Sequence, residues 1–274
     1  MGMGFSARVV KHSGLGNDFL VLENPPTTGV DWPSVARRLC DRRSGIGADG
    51  LLLLGHDGGT SLTMVLHNSD GSVAEMSGNG IRCLAQAAFM SAMRNEPVAY
   101  QVSTGAGVRR VEVTPRAEGI VDAAVDMGEI TSIDPPATWA SLQADPNRPV
   151  MHLSVGNPHA VVGVEDVSVV PLKELGERVP MVNLEIIEPG PESNAITMRV
   201  HERGAGITKA CGTGACASAW AAVRWGLVSS KAEEVVVHMD GGDVRVRVNQ
   251  PTEGRVTLIG ESVFVSAHDV VIDS

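Results

Sequence analysis

Residues 66–88 read LHNSDGSVAEMSGNGIRCLAQAA, and residues 200–222 read VHERGAGITKACGTGACASAWAA. Laid on one another without a gap, they place His201 on His67, Gly212 on Gly78 and Gly214 on Gly80. Ala219, Ala221 and Ala222 fall on Ala85, Ala87 and Ala88. In each copy a strand ends in His, a polar loop follows, and a Gly-x-Gly turn opens an Ala-rich helix. Small side chains along most of a helix suit close packing on every side. The repeat therefore predicts an α+β chain of two related halves, each wrapping strands around one central helix. The halves are expected at residues 1–124 and 125–265, with a C-terminal strand at 266–274 returning to the first.

The flanking sequence fits such halves. Short Val-rich or alternating runs read as strands, from residues 7–12 near the start to 256–265 near the end. Helices are expected at 33–41, with Asp31 as cap and Pro33 in the first turn, and at 79–94, 172–178 and 213–225.

Composition narrows the function. With 274 residues, 43% hydrophobic and 20% charged, the chain is ordinary globular protein of about two domains. A net charge of -10 argues against a nucleic-acid partner, which needs a basic face. No apolar run is long enough to cross a bilayer, so no membrane partner is expected. Without a secretory leader, the four cysteines are expected as reduced thiols in the cytoplasm. Met1, Gly2 and Ser6 fit a loose myristoylation pattern, to which little weight attaches. No CxxC pair and no HxxxH spacing is present, so no metal is expected.

The Gly-x-Gly turns carry the chemistry. Helix-opening amides lack internal partners and lie at the positive end of the dipole, a ready place for a carboxylate. The residue before each turn is Ser77 or Cys211. A thiol at a helix start has its pKa lowered, which makes Cys211 the candidate reactive group; the alternative is a small buried residue. Cys40, Cys83 and Cys216 read as packing. GTGACA matches a dinucleotide fingerprint, with Glu233 further on, but a long polar loop parts the strand from the turn, so nucleotide binding is disfavoured. Asn17, Asn68, Asn157, His159, Glu202 and Arg203 lie near expected strand ends. They form a toolkit for holding a small zwitterionic amino acid, although each alone is ordinary turn chemistry.

The ordered set GLGNDF (14–19), GIGADG (45–50), NSDGS (68–72), SGNGIRC (77–83), GNPHAV (156–161) and ERGAG with ACGTGACA (202–217) resembles the diaminopimelate epimerases. These are cofactor-independent enzymes of lysine and peptidoglycan biosynthesis. The resemblance implies two pseudo-symmetric halves, each a mixed sheet curled around a helix, with the active site in a cleft between them. It implies substrate contacts from Asn17, Asn68, Asn157, Asn183, Glu202 and Arg203, with Arg203 on the distal carboxylate. It implies anion binding by the amides of Gly78, Asn79, Gly212 and Thr213. It assigns His159 and Glu202 to tuning the acid–base groups, needs no cofactor, and suggests a homodimer. In such enzymes one cysteine thiolate removes the α-proton and a second thiol reprotonates the opposite face.

The chain departs from that pattern at one central place. Cys211 matches the second cysteine, but the first position is Ser77. Cys83 lies too far along the helix to stand in. Gly50 stands where some relatives carry Gln, and Ile207 where Glu is common. A serine hydroxyl is a far weaker acid than a thiol, so Cys211 is the one expected resting base. Three accounts stay open: a natural Ser/Cys pair that epimerises, a serine engineered in place of cysteine, and one-base chemistry on a related amino acid. A related racemase, isomerase or dehydratase, or an inactivated substrate-binding variant, are the alternative functions.

Overall fold

In the computed structural model, which describes residues 4–248 and 254–272, the two quoted stretches fold alike. The first unit runs to Val125 and resumes at Gly260. It contains β1 (Phe5–Gly14), β2 (Asn17–Glu23), α1 (Trp32–Cys40), β3 (Gly50–Gly58), β4 (Ser61–Asn68) and β5 (Val73–Ala74). These are followed by α2 (Gly78–Ser91), β6 (Val98–Thr104), β7 (Gly107–Ala117) and β8 (Ile120–Glu129), whose last residues pass into the second unit. The second unit, Asp126–Ile259, holds β9 (Thr131–Ser132), a 3-10 turn at Trp139–Leu142, β10 (Val150–Ser154), β11 (Pro158–Gly163) and α3 (Leu172–Arg178). It continues with β12 (Asn183–Pro189), β13 (Ala195–Glu202), β14 (Gly206–Thr208), α4 (Gly212–Arg224), β15 (Val235–Met239), β16 (Gly242–Arg247) and the start of β17 (Arg255–Ile272). Met1 and Gly2 of the myristoylation pattern, and residues 273–274 of the expected last strand, lie outside the described residues.

Strand pairing extends the repeat to the whole of each unit. In the first, β1–β2 is antiparallel, β2–β3 parallel, β3–β4 and β4–β5 antiparallel, β4–β6 parallel, and β6–β7 and β7–β8 antiparallel. In the second, β10 to β17 follow the same scheme, with β11–β12 and β13–β15 parallel. The registers agree as well: Leu51 faces His67 as Leu184 faces His201. Each sheet is thus mixed, and each surrounds its own helix. α2 packs on β1, β2, β3, β4, β6 and β7, and α4 on β10 to β13, β15 and β16. Ala85, Ala219, Ala221 and Ala222 are fully buried there, because a larger side chain would push the sheet away.

Local sequence explains most boundaries. β8 buries Val121, Ala123, Val125 and Met127 in strict alternation, one face in and one face out. Leu51 to Leu54 of β3 are all buried, as a strand covered on both faces requires. Asp31 caps α1 by accepting from Ser34 N at 3.3 Å. The helix expected to reach Arg94 stops at Ser91, because Met93 turns into the left-handed region at φ 48. β5, β9 and β14 are too short to show alternation and were not legible. The sequence-based boundary at 265 also differs from the structure. Thr257 to Ile259 pair with β16, whereas Val263 to Ile272 pair with β1, so the handover falls inside one unbroken strand.

One packing contact is tight enough to test. Gly176 of α3 faces the buried ring of His201, and a Cβ there would lie 2.1 Å from His201 Cγ. Gly176→Ala should cost on the order of 3 kcal/mol by overpacking, against about 1 kcal/mol returned by helix propensity. A urea melt should show a net loss; an unchanged midpoint would mean that the imidazole relocates freely.

Candidate active site

Ser77 and Cys211 occupy the same place in their units. Each is the N-cap of its central helix, with φ, ψ of −136, 126 for Ser77 and −136, 112 for Cys211. The chemistry differs. Ser77 Oγ accepts from Gly80 N at 3.1 Å, ordinary N-cap work. The sulfur of Cys211 is a weaker cap: the Gly214 amide and the Thr213 hydroxyl, whose Oγ1 lies 3.5 Å from Sγ, favour its thiolate. Gly80 and Gly214 let these side chains sit against the helix. A Cβ on Gly80 would meet Ser77 Cβ at 3.2 Å and Leu52 Cδ2 at 3.5 Å. A Cβ on Gly214 would meet Glu185 Oε1 at 2.7 Å and Cys211 Sγ at 3.3 Å.

In the first unit a line of polar side chains pins the start of β2 to the start of α2. Arg82 Nη2 donates to Asn79 Oδ1 at 2.8 Å, Asn79 Nδ2 to Asn17 Oδ1 at 2.7 Å, and Asn17 Nδ2 to Asp49 Oδ2 at 3.0 Å. Arg42 Nη2 closes the line on Asp49 Oδ1 at 2.8 Å. Arg42 and Lys11 also hold Asp18; against the cost of burial, their hydrogen bonds and charges keep its carboxyl down at about 2. The side chains of Asn17 and Asn79 therefore have fixed orientations. Asn68 donates to Ser72 Oγ at 3.0 Å. Gly50 has no room for more, since a Cβ would lie 2.8 Å from the His67 carbonyl oxygen.

The second unit gathers the remaining candidates. His159 Nδ1 lies 2.7 Å from Glu185 Oε1, and both side chains are fully buried. His159 Nε2 lies 2.9 Å from Asn157 Oδ1, and Asn157 Nδ2 donates to Thr213 Oγ1 at 3.3 Å. Glu202 accepts from Thr208 Oγ1 at 2.5 Å. Asn183 Oδ1 accepts from the backbone of Arg203 at 2.8 Å, which fixes the turn that carries this exposed arginine. The unit thus brings together Cys211, Asn157, His159 and Thr213, with Asn183 tied to the loop of Glu202 and Arg203.

One sequence expectation is overturned. The thiol of Cys211 was expected below its ordinary pKa at a helix start. Burial, with the carboxylates of Glu202 and Glu185 close by, pushes it well above that value. Desolvation and two like charges outweigh the Thr213 hydroxyl and the Gly214 amide, which favour the thiolate. The packing cysteines behave as expected: burial pushes Cys40 up to about 12 and Cys83 up to about 11.

Among the residues of these networks that sequence reasoning did not single out are Arg42, Asp49, Arg82, Glu185 and Thr208. Arg82 and Glu185 had a visible signal, a charge inside an otherwise apolar element. Both are fully buried. No group of three or more His, Cys, Asp or Glu side chains among the described residues is placed to hold a metal. No helix of the described residues is long and apolar enough to cross a membrane.

The family model described as diaminopimelate epimerase matches residues 9–133 and 151–265. The diaminopimelate epimerase of Desulfitobacterium hafniense is 36% identical, covering 94% of this chain and 95% of its own length. That of a Picosynechococcus species is 42% identical over 79% of this chain and 83% of its own. Among solved structures, a phenazine biosynthesis protein of the PhzF family from Bacillus anthracis superposes with a TM-score of 0.74 at 14% identity. It covers 98% of this chain and 100% of its own, a likeness of fold alone.

Proposed function

The chain belongs to the diaminopimelate epimerase family, and from that premise we propose that it interconverts LL- and meso-diaminopimelate by proton transfer at the α-carbon. The observation that carries the reading is the placement of Cys211 at the start of α4, beside the open amides of Gly212 and Thr213. A substrate α-carboxylate received by helix-opening amides would have its developing carbanion stabilised by aligned dipoles, which is what a reaction without a cofactor needs. Cys211 as thiolate removes the α-proton. The second acid–base position falls on Ser77, whose hydroxyl delivers a proton far less readily than a thiol. Asn17, Asn68, Asn157, Asn183, Glu202 and Arg203 read the two polar ends of the substrate, with Arg203 on the distal carboxylate, and Gly78 and Asn79 supply amides at α2. His159 and Glu202 tune the acid–base groups. The polar networks support this assignment, because side chains already fixed in orientation lose little entropy on binding. The protein is proposed to act in the cytoplasm, as a homodimer, on a small amino acid alone.

Incubation with each isomer in D2O tests the reading. Deuterium uptake with inversion is the expected result. Uptake without inversion would make Cys211 a working base and Ser77 the limiting group. No uptake from either isomer, by this chain and by its Ser77→Cys variant, overturns the diaminopimelate assignment.

A further inference from the structure

A buried cation sits behind the start of α2. Arg82 is fully enclosed, one turn into the helix. A cation near a helix N-terminus opposes the macrodipole, and burying a charge is costly, so helix stability does not account for it. Its guanidinium forks over the opening turn: Nη1 donates to the Gly78 carbonyl at 3.1 Å, and Nη2 to Asn79 Oδ1 at 2.8 Å. Room for it is left in β17, where a Cβ on Gly260 would lie 3.0 Å from both Cζ and Nε of Arg82.

The line that starts at Arg82 has one direction, set from both ends. Arginine only donates, so Asn79 turns its Oδ1 to Arg82 and its Nδ2 to Asn17 Oδ1, 2.7 Å away. At the other end Asp49 accepts from Arg42 Nη2 at 2.8 Å and from the Asp18 amide at 3.0 Å. It therefore takes a donor from Asn17 as well, Nδ2 at 3.0 Å. Turning either amide over would set oxygen against oxygen or N–H against N–H. The second unit offers a comparison. His159 pairs with Asn183 as Phe19 pairs with Gly50, and two residues before them stand Asn157 and Asn17. On the repeat, Thr213 matches Asn79 and Cys216 matches Arg82. Cys216 is as fully buried as Arg82, so such a helix packs at this position with a small side chain. The cation belongs to the unit in which an asparagine, rather than a threonine, stands in the opening turn.

We infer that Arg82 is a positioning residue for substrate binding: its fork fixes the opening turn of α2 and the amide orientations of Asn79 and Asn17. This role rests on the proposed function, in which Asn17 and the amides of Gly78 and Asn79 are among the substrate contacts. Arg82 is sealed from solvent, so it acts through the groups in front of it and not by contact with substrate. Its charge also adds to the positive field of the helix start, toward which a substrate carboxylate is drawn. Side chains oriented in advance lose less entropy on binding, so the effect falls on affinity. The planar fork holds two acceptors at once, which a lysine ammonium reproduces only in part.

The test is calorimetric binding of LL- and meso-diaminopimelate to the full chain and to its Arg82→Met and Arg82→Lys variants. It is run in a Cys211→Ala background, so that turnover does not disturb the titration, and a thermal melt checks each fold. Arg82→Met should bind about tenfold more weakly, the loss of one charge-assisted hydrogen bond, and Arg82→Lys should keep part of the affinity. With Cys211 in place, KM should rise in step while kcat changes by less than about threefold, the sign of lost uniform binding. The side-chain amide of Asn79 should exchange its hydrogens about tenfold faster in Arg82→Met, with exposed Asn147 as the unchanged reference. An arginine with a structural role alone would lower the melt and the folded fraction, and leave the affinity of the folded part in place. Unchanged affinity in the folded variants overturns the inference. So does an Asn79 amide that, in the unaltered chain, exchanges as fast as Asn147, a measurement that needs no variant to fold. If the chain binds neither isomer, the diaminopimelate reading falls, and exchange at Asn79 alone decides whether Arg82 orients it. Deuterium uptake by the chain, with unchanged affinity in the variants, leaves that reading standing and removes the role of Arg82.

Discussion

Cys211→Ala is expected to abolish α-proton exchange, by about 1,000-fold or more, the scale of a positioned acid–base group. The loss should be this large because no neighbour can take over. His159 and Glu185 are fully buried and hydrogen-bonded to one another. Cys83 is fully buried within α2, and Cys216 is fully buried within α4. Of the two carboxylates that act on the sulfur, Glu202 is partly accessible and Glu185 is not. Exchange retained in Cys211→Ala would therefore identify Glu202 as the base and remove Cys211 from that role. Stability should change little, since sulfur is a weak hydrogen-bond acceptor and alanine leaves a small void. A loss of exchange in a protein with an unaltered melt is the signature to look for.

Ser77→Cys is expected to raise the rate of inversion by roughly 100-fold or more, while exchange driven by Cys211 changes much less. Inversion needs a donor on the face opposite the base, and a thiol with a pKa near 8.5 serves where a hydroxyl does not. The backbone already suits cysteine there: Cys211 adopts nearly the same N-cap conformation, −136, 112 against −136, 126. The cost is the cap that Ser77 Oγ makes to Gly80 N, about 1 kcal/mol. If the folded variant inverts no faster, Ser77 is not the limiting group and the one-base alternative gains.

Much of the site was legible because repeats, caps and turn residues are local. Cys211 and Ser77 were placed by alignment of two Gly-x-Gly turns, and Asp31 by its position before Pro33. Asn17, Asn157 and His159 were found as polar residues at strand ends. What stayed hidden was partnership. Asp49 is 32 residues from Asn17, and Glu185 is 26 from His159. Hydrophobic period tells which face of a strand is buried, but not which strand lies next to it or in what register.

The sequence by itself determined the two-unit α+β architecture, the central Ala-rich helices and the identity of the residues at their N-caps. Each follows from interactions within a few residues: side-chain size, cap chemistry and glycine turns. Only the tertiary structure decided the state of Cys211. A helix start taken alone lowers a thiol, yet burial and the carboxylates of Glu185 and Glu202 raise it. Those opposing effects come from β12 and β13. Antiparallel pairing of β12 with β13 brings both carboxylates to the sulfur. Desolvation and charge act through space, and only the packed sheets bring those groups within range.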